Sequence, residues 1–169
     1  YLEHLFNYSK KKLFVPGVKV VRGAYMEKER MRAKKMGYPD PICMNKIETD
    51  KNFNEALKFL VKNLKNFNMI IGSHNEQSSY LLMDLMRKYK VKSNNKSIWF
   101  AQLYGMSDQI SFNIANLGYN VCKLLPYGPV EEVVPYLIRR AEENSSVRGQ
   151  SSRELELIKK EFKRRKINS

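Results

Sequence analysis

Four short apolar segments alternate with helical patterns along the chain, and this alternation limits the possible folds more than any other feature. The segments are rich in β-branched and aromatic residues, and Gly, Pro, Asn or Ser bounds each of them, which predicts β-strands. They cover residues 18–25, 68–74, 97–105 and 120–128. Strands that alternate with helices form right-handed βαβ units and a parallel sheet. The predicted fold class is therefore α/β.

The helical patterns between these strands are amphipathic. Apolar residues repeat at spacings of three and four over residues 53–64 and 81–86, and further helices are predicted over 108–116, from 130 to about 143, and from 152 to about 165. A doubly wound sheet and a (β/α)8 barrel both fit this order of elements. A complete barrel takes about 250 residues, so a chain of 169 residues with four predicted strands would supply half of one.

The charge is strongly basic: 31 Lys and Arg against 17 Asp and Glu give a net charge of +14. Much of this excess lies in short lysine groups spread along the chain, which favours a solvated surface over a nucleic-acid or membrane site. A hydrophobic content of 43% excludes a wholly disordered chain. Cys43 and Cys122 provide neither a disulfide framework nor a zinc spacing, which favours a reducing compartment. The chain opens at Tyr1 without an initiator methionine, so we expect a fragment of a longer protein.

Polar residues and glycines recur at the carboxyl end of every predicted strand, over residues 22–25, 73–76, 102–105 and 126–129. Ligands bind at this edge of the sheet in both candidate architectures. The repeated position therefore predicts a binding site formed by all four strand ends.

The residue types at these ends favour an anionic ligand. Lys19 and Arg22 could hold a phosphate or a carboxylate, although a surface salt bridge explains them equally well. His74 has only the distant His4 as a histidine partner, so we expect no histidine metal site. Ser73 or Asn75 is expected to cap the following helix, whose N-terminus suits a phosphate.

A pair of arginines, Arg139 and Arg140, lies on a predicted helix face together with Tyr136 and Glu143. Paired guanidinium groups can clamp a small carboxylate, and a solvated polar face is the alternative. The sequence contains no Gly-rich dinucleotide fingerprint, no P-loop and no nucleophile elbow.

Several segments in sequence order, VRGAYMEKER, SHNEQS, QLYGMSDQISF and PYGPVEEVVPYLIRRAEENSS, closely resemble proline dehydrogenase, above all its eukaryotic mitochondrial form. The resemblance implies a distorted (βα)8 TIM-like barrel, with residues 1–169 forming the C-terminal half of the catalytic domain. It also implies FAD as the cofactor, oxidation of L-proline to Δ1-pyrroline-5-carboxylate, transfer of electrons to a quinone at a membrane surface, and a mitochondrial location. It implies no nucleic-acid partner, and the alternative is a non-catalytic basic binding fragment.

The resemblance assigns two sets of site residues. The residues near the substrate are Ala24, Tyr25, Leu103, Leu124, Arg139 and Arg140, the two arginines holding the carboxylate. The residues near FAD are Lys19, Arg22, Gly23, Lys46, Ser73, His74, Asn75, Gln102 and Glu143. No catalytic base and no metal ligand is assigned, because the resemblance supplies none in this segment.

Three departures from the family pattern qualify these expectations. Leu124 stands where many members have a tyrosine against the substrate ring, which predicts room for a substituted proline such as hydroxyproline. Ala101 stands where many bacterial members have Gln, and a shift of one residue along a strand changes the face, which weakens Gln102 as a flavin ligand. The family's first strands contribute a lysine and an aspartate that this chain does not contain, so we expect residues 1–169 alone to be inactive.

Overall fold

The computed structural model of the chain describes the backbone of residues 1–22, 25–145 and 150–167, and the side chains of residues 1–22, 25–140 and 155–166. Its strands are β1 (Gly17–Val21), β2 (Asn68–Gly72), β3 (Ile98–Leu103) and β4 (Val121–Leu124). Its helices are α1 (Leu2–Lys12), α2 (Met26–Met36), α3 (Lys46–Lys62), α4 (Glu76–Lys88), α5 (Asp108–Asn116), α6 (Val130–Ser145) and α7 (Gln150–Ile167). None of the described helices has the length and apolar composition needed to cross a bilayer.

All four strands are parallel and stand in the spatial order β1-β2-β3-β4, which is also their order along the chain. A doubly wound sheet reverses its strand order at a switch point, whereas consecutive strands of a (β/α)8 barrel are neighbours. The observed order is therefore that of an arc of a barrel.

In the part of the chain that the structure describes, helices cover one face of this sheet. Side chains alternate between the two faces along each strand, and on the covered face Met69, Ile71, Ile98 and Phe100 are each only 1% exposed. The apolar sides of α3, α4 and α5 pack against them and complete one continuous hydrophobic core.

The opposite face of the sheet is exposed, and we call it the open face. It carries Lys19, Val21, Ile70, Trp99 and Leu124, and its apolar members are 37–43% exposed. An exposed apolar surface of this kind marks a site of interaction. In a closed barrel it would face side chains from the remaining strands.

All four predicted strands are present, but each is shorter than predicted at its carboxyl end. The second ends at Gly72 rather than residue 74, for example, because the Ser73 hydroxyl accepts from the Asn75 N–H and the Asn75 side chain caps the next helix, which turns the chain away from the strand. The sequence pattern gives no signal for α2, since Ala33 is the sole residue that it buries and it lacks an apolar stripe. Helices α5 and α6 begin where the periodicity places them.

The open face, with β1 and β4 as unpaired sheet edges, predicts self-association of residues 1–169 expressed alone. Ile70→Lys, in the middle of this face, should shift the sedimentation profile towards smaller species because it places a charge in the apolar contact. Met31→Lys, at a position 65% exposed on α2, is the matched control and should leave the profile unchanged. A monomeric wild-type chain would contradict the prediction.

Candidate functional site

Arg22 lies just beyond β1 and joins three elements at the carboxyl edge of the sheet. Its Nε lies 2.8 Å from Oδ1 of Asp50 on α3, its Nη1 donates to Ser73 Oγ at 2.7 Å, and its Nη2 donates to Ser78 Oγ on α4. The plane of the guanidinium lies over the Phe53 ring, with 3.8 Å from Cζ to the ring centroid. Burial lowers the pKa of Arg22, and the negative charge of Asp50 opposes this shift. The guanidinium remains protonated at neutral pH because arginine is not deprotonated in proteins.

Ser73 connects Arg22 to the start of α4. Its hydroxyl oxygen accepts from Arg22 and from the backbone N–H of Asn75 at 3.1 Å, while its own N–H donates to the Ala101 carbonyl at 3.2 Å. The Asn75 side chain then caps α4 by accepting from the Ser78 N–H at 3.0 Å. The predicted cap at Asn75 is therefore confirmed.

Hydrogen bonds between polar groups connect the Ser73 carbonyl to the His74 ring through Gln102 and the first turn of α5. Gln102, which is 2% exposed, donates to the Ser73 carbonyl at 3.2 Å and accepts from Ser111 Oγ at 2.9 Å. Ser107, one turn before Ser111, has its hydroxyl 2.8 Å from His74 Nδ1. Residues 73–75 are thus held from both sides. We call this connected set the strand-end network; its members are Arg22, Asp50, Ser73, His74, Asn75, Ser78, Gln102, Ser107 and Ser111.

Lys46, at the first position of α3, extends the strand-end network towards solvent. Its Nζ lies 2.6 Å from Asp50 Oδ2, so Asp50 pairs with both Lys46 and Arg22. Six of the nine residues assigned to the cofactor therefore belong to one connected set: Arg22, Lys46, Ser73, His74, Asn75 and Gln102.

Lys19 lies apart from this network, on the open face. A Cβ added to Gly72 would fall 3.4 Å from Lys19 Cε and 2.9 Å from Val21 Cγ1, so the lysine side chain lies close over Gly72. Burial raises the pKa of Cys122 on β4, and the Lys19 ammonium opposes this shift. Lys19 thus offers a charged donor close over Gly72 on the open face, which suits the anionic group expected there from the resemblance.

The arginine pair lies on α6, where Arg139 is exposed and Arg140 is half-buried. The Arg140 guanidinium lies 5.5 Å from the Tyr136 ring centroid, so the predicted shared face of these two residues is confirmed. Tyr136 also lines an open cavity of about 260 Å³ between β4 and α6, together with Leu124, Pro126, Tyr127, Gly128, Glu132 and Val133. Leu124 therefore connects the open face to the helix that carries the arginines.

Of the remaining predicted site residues, the structure describes Leu103 and Tyr25. Leu103 is 6% exposed at the end of β3, and Tyr25, at φ 58°, precedes α2 and is 69% exposed. Gly23 and Ala24 lie outside the described residues, as does the side chain of Glu143. No cluster of three or more His, Cys, Asp or Glu side chains able to hold a metal ion occurs among the residues that the structure describes.

Sequence reasoning missed the residues that support this network: Asp50, Ser78, Ser107 and Ser111. A signal for two of them was present. Asp50 stands in the same 3,4-spaced stripe as Phe53 and Leu57, and Ser78 precedes Leu82 by four residues. A polar residue within an apolar stripe faces the sheet and needs a buried partner.

Comparison with known proteins gives the same result for sequence and for structure. The family described as proline dehydrogenase matches residues 1–153. Among curated relatives, "Proline dehydrogenase 1, mitochondrial" of Caenorhabditis elegans is 45% identical over 88% of this chain, and the Dictyostelium discoideum protein of that name is 43% identical over 93%. "Hydroxyproline dehydrogenase" of Xenopus laevis is 42% identical over 90%. The chain spans 25%, 28% and 34% of the length of these three relatives.

Among solved structures, proline utilization A of Bdellovibrio bacteriovorus superposes with a TM-score of 0.75 at 31% identity, covering 86% of this chain and 15% of that one. The protein of that name from Corynebacterium freiburgense gives a TM-score of 0.69 at 22% identity over 85% of this chain and 15% of its own, which shows the fold alone. The predicted fold class is confirmed: the sheet and its helices form part of a TIM-like (βα)8 barrel.

Gln102→Met tests the energetic weight of the strand-end network. It keeps the length of the side chain but leaves the Ser73 carbonyl and the Ser111 hydroxyl with one buried partner fewer, which costs about 2 kcal/mol of the free energy of unfolding. Gln77→Met, at an exposed position on α4, is the matched control and should change that free energy little. Urea denaturation of both variants measures the difference, and equal midpoints would contradict the argument.

Proposed function

The chain belongs to the proline dehydrogenase family, and on this premise we propose that it is part of the catalytic domain of an FAD-dependent enzyme that oxidises L-proline to Δ1-pyrroline-5-carboxylate. One observation supports the proposal above all others. Six residues that the resemblance assigns to the cofactor, far apart in sequence, belong to one hydrogen-bonded set at the carboxyl edge of a parallel sheet.

The proposed cofactor contacts follow from this geometry. When bound, FAD would be the oxidant of the substrate C–N bond. Residues 73–75 precede α4, whose first N–H groups and partial positive charge suit the phosphates. Lys19 offers its ammonium to the ring on the open face, and Lys46 stands at the exposed end of the network. Gly23 and Glu143 remain proposed contacts on the resemblance alone, whereas Gln102, buried on the covered face, would support residues 73–75 from behind.

The proposed substrate site lies between the open face and α6. Arg139 and Arg140 would bind the proline carboxylate, because a planar guanidinium matches the two carboxylate oxygens. Leu103, at the end of β3, and Leu124, beside the cavity, would contact the apolar ring carbons, with Ala24 and Tyr25 completing the pocket. The structure assigns no base for the amine proton to any of these residues.

The partners and location are part of the same proposal. We propose a quinone as electron acceptor at a membrane surface, no nucleic-acid partner, and a mitochondrial location, since relatives at 41–45% identity are named mitochondrial proline dehydrogenases. We also propose that residues 1–169 are inactive by themselves, because the open face lacks the strands that would close the pocket.

Arg140→Met in the full-length protein tests the carboxylate contact. The wild-type protein should purify with FAD and reduce a dye when L-proline is added. Removing one partner of a desolvated charge pair costs about 2–5 kcal/mol, so KM for proline should rise far more than kcat falls. Arg87→Met, which removes a surface ion pair with Asp84, is the control and should leave KM unchanged. A colourless folded wild-type protein, or an unchanged KM in the Arg140 variant, would reject the assignment.

Hydroxyproline is a second candidate substrate. Leu124 leaves space beside the cavity of about 260 Å³ where many family members have a tyrosine, and the Xenopus laevis relative at 42% identity is named hydroxyproline dehydrogenase.

Leu124→Tyr separates the two substrates. The added ring should occupy the space for a substituent, so kcat/KM for hydroxyproline should fall relative to kcat/KM for proline. Leu125→Tyr, at the exposed neighbouring position, is the matched control. Steady-state kinetics with both substrates measure the ratio, and an unchanged ratio would show that position 124 does not select between them.

A further inference from the structure

We propose that Arg22 is a positioning residue: its guanidinium holds residues 73–78 in the conformation that binds the cofactor, without contacting the cofactor itself. This inference rests on the proposed function only for the identity of the ligand. The positioning itself concerns the protein alone and can be measured without FAD.

The Arg22 guanidinium is engaged by oxygens of the protein. Its Nη1 and Nη2 donate to the Ser73 and Ser78 hydroxyls, and its Nε forms an ion pair with Asp50. Arg22 Nε and Asp50 Oδ1 are also out of contact with solvent. A guanidinium held in this way is directed inward, to α3 and α4, and away from the open face.

Arg22 also lies on the covered side of the sheet. Val18 and Val20, on the same side of β1, pack against the hydrophobic core, whereas Lys19 and Val21 belong to the open face. Arg22 continues the first series, since its guanidinium lies over Phe53 of the core. Lys19 therefore faces the proposed flavin ring, and Arg22 faces the opposite side of the sheet.

Arg22 holds residues on both sides of the cap of α4. Ser73 and Ser78 stand on either side of the Asn75 cap, and Arg22 binds both hydroxyls at once. Ser73 Oγ in turn accepts the Asn75 N–H, and Ser78 Oγ donates to Asn54 Oδ1 at 2.9 Å. One planar cation thus fixes the turn between β2 and α4. A lysine, which carries a single ammonium, cannot reproduce this three-way geometry.

Arg22→Lys in the full-length protein separates positioning from direct contact, because it keeps the positive charge and removes the planar set of guanidinium donors. Positioning predicts faster hydrogen–deuterium exchange at the amides of residues 73–79 already in the FAD-free protein, by about tenfold or more, since hydrogen bonds to charged groups are among the stronger ones. It further predicts an FAD dissociation constant raised by a similar factor in a fluorescence titration. Ser78→Ala removes only one of the three contacts and should give a smaller change in the same direction.

Arg30→Lys is the matched control, because Arg30 pairs with Asp40 at 3.4 Å on the surface. This variant should leave both measurements unchanged. Weakened FAD binding in Arg22→Lys with exchange unchanged in the FAD-free protein would mean that Arg22 contacts the cofactor, which overturns the proposal. Unchanged exchange and unchanged affinity would overturn it as well. Should Arg22→Lys not fold, the exchange and affinity of Ser78→Ala decide by the same criteria. A wild-type protein that binds no FAD would reject the proposed function, while exchange in the FAD-free variants would still decide whether Arg22 holds the segment.

Discussion

All four strands run in the same direction, and this constraint determines where every candidate functional group lies. Parallel strands bring their carboxyl ends to one edge of the sheet, so segments 50 residues apart in sequence become neighbours there. Arg22, Ser73 and Gln102 follow or end three successive strands and meet through hydrogen bonds. Because helices cover one face alone, the same edge separates a buried polar network from an exposed surface that carries Lys19.

The strand-end network combines a large desolvation cost with many compensating contacts. Removing a guanidinium and a carboxylate from water is unfavourable, and an ion pair alone often fails to offset this. Here the Arg22–Asp50 pair is supplemented by Ser73, Ser78, Lys46 and the Phe53 ring. These contacts offset the desolvation and at the same time define one conformation of the turn. This is the property that a ligand-binding segment requires.

The sequence predicts the elements of this fold better than their ends or their polar contacts. Alternation and apolar spacing locate all four strands and α3 to α5, because burial imposes those periods. The same spacing locates α6 and α7, although most of their described apolar residues are exposed. They do not show where a strand stops, since the polar residues after Gly72 have the same local pattern in a strand and in a turn. They also give no strand order, which depends on contacts between distant segments.

The same limit applies to the site. Resemblance supplies the names of the residues, but it treats Lys19 and Arg22 alike, as two cations near a flavin. The structure places them on opposite faces of β1, because three residues along a strand reverse the direction of the side chain. Asp50 and Ser111 carry no motif and become visible only through their partners.

At position 107, the proposed function and thermal stability favour different residues. Its backbone has φ 52°, in the left-handed region where glycine is at ease and a side chain is strained. Glycine would relieve that strain but would remove the hydroxyl that lies against His74. Directed evolution for heat resistance alone would therefore tend to replace this serine, whereas selection for the proposed cofactor-dependent activity would tend to retain it. The residue found at position 107 in an evolved population would thus indicate whether the population had been selected for heat resistance or for activity.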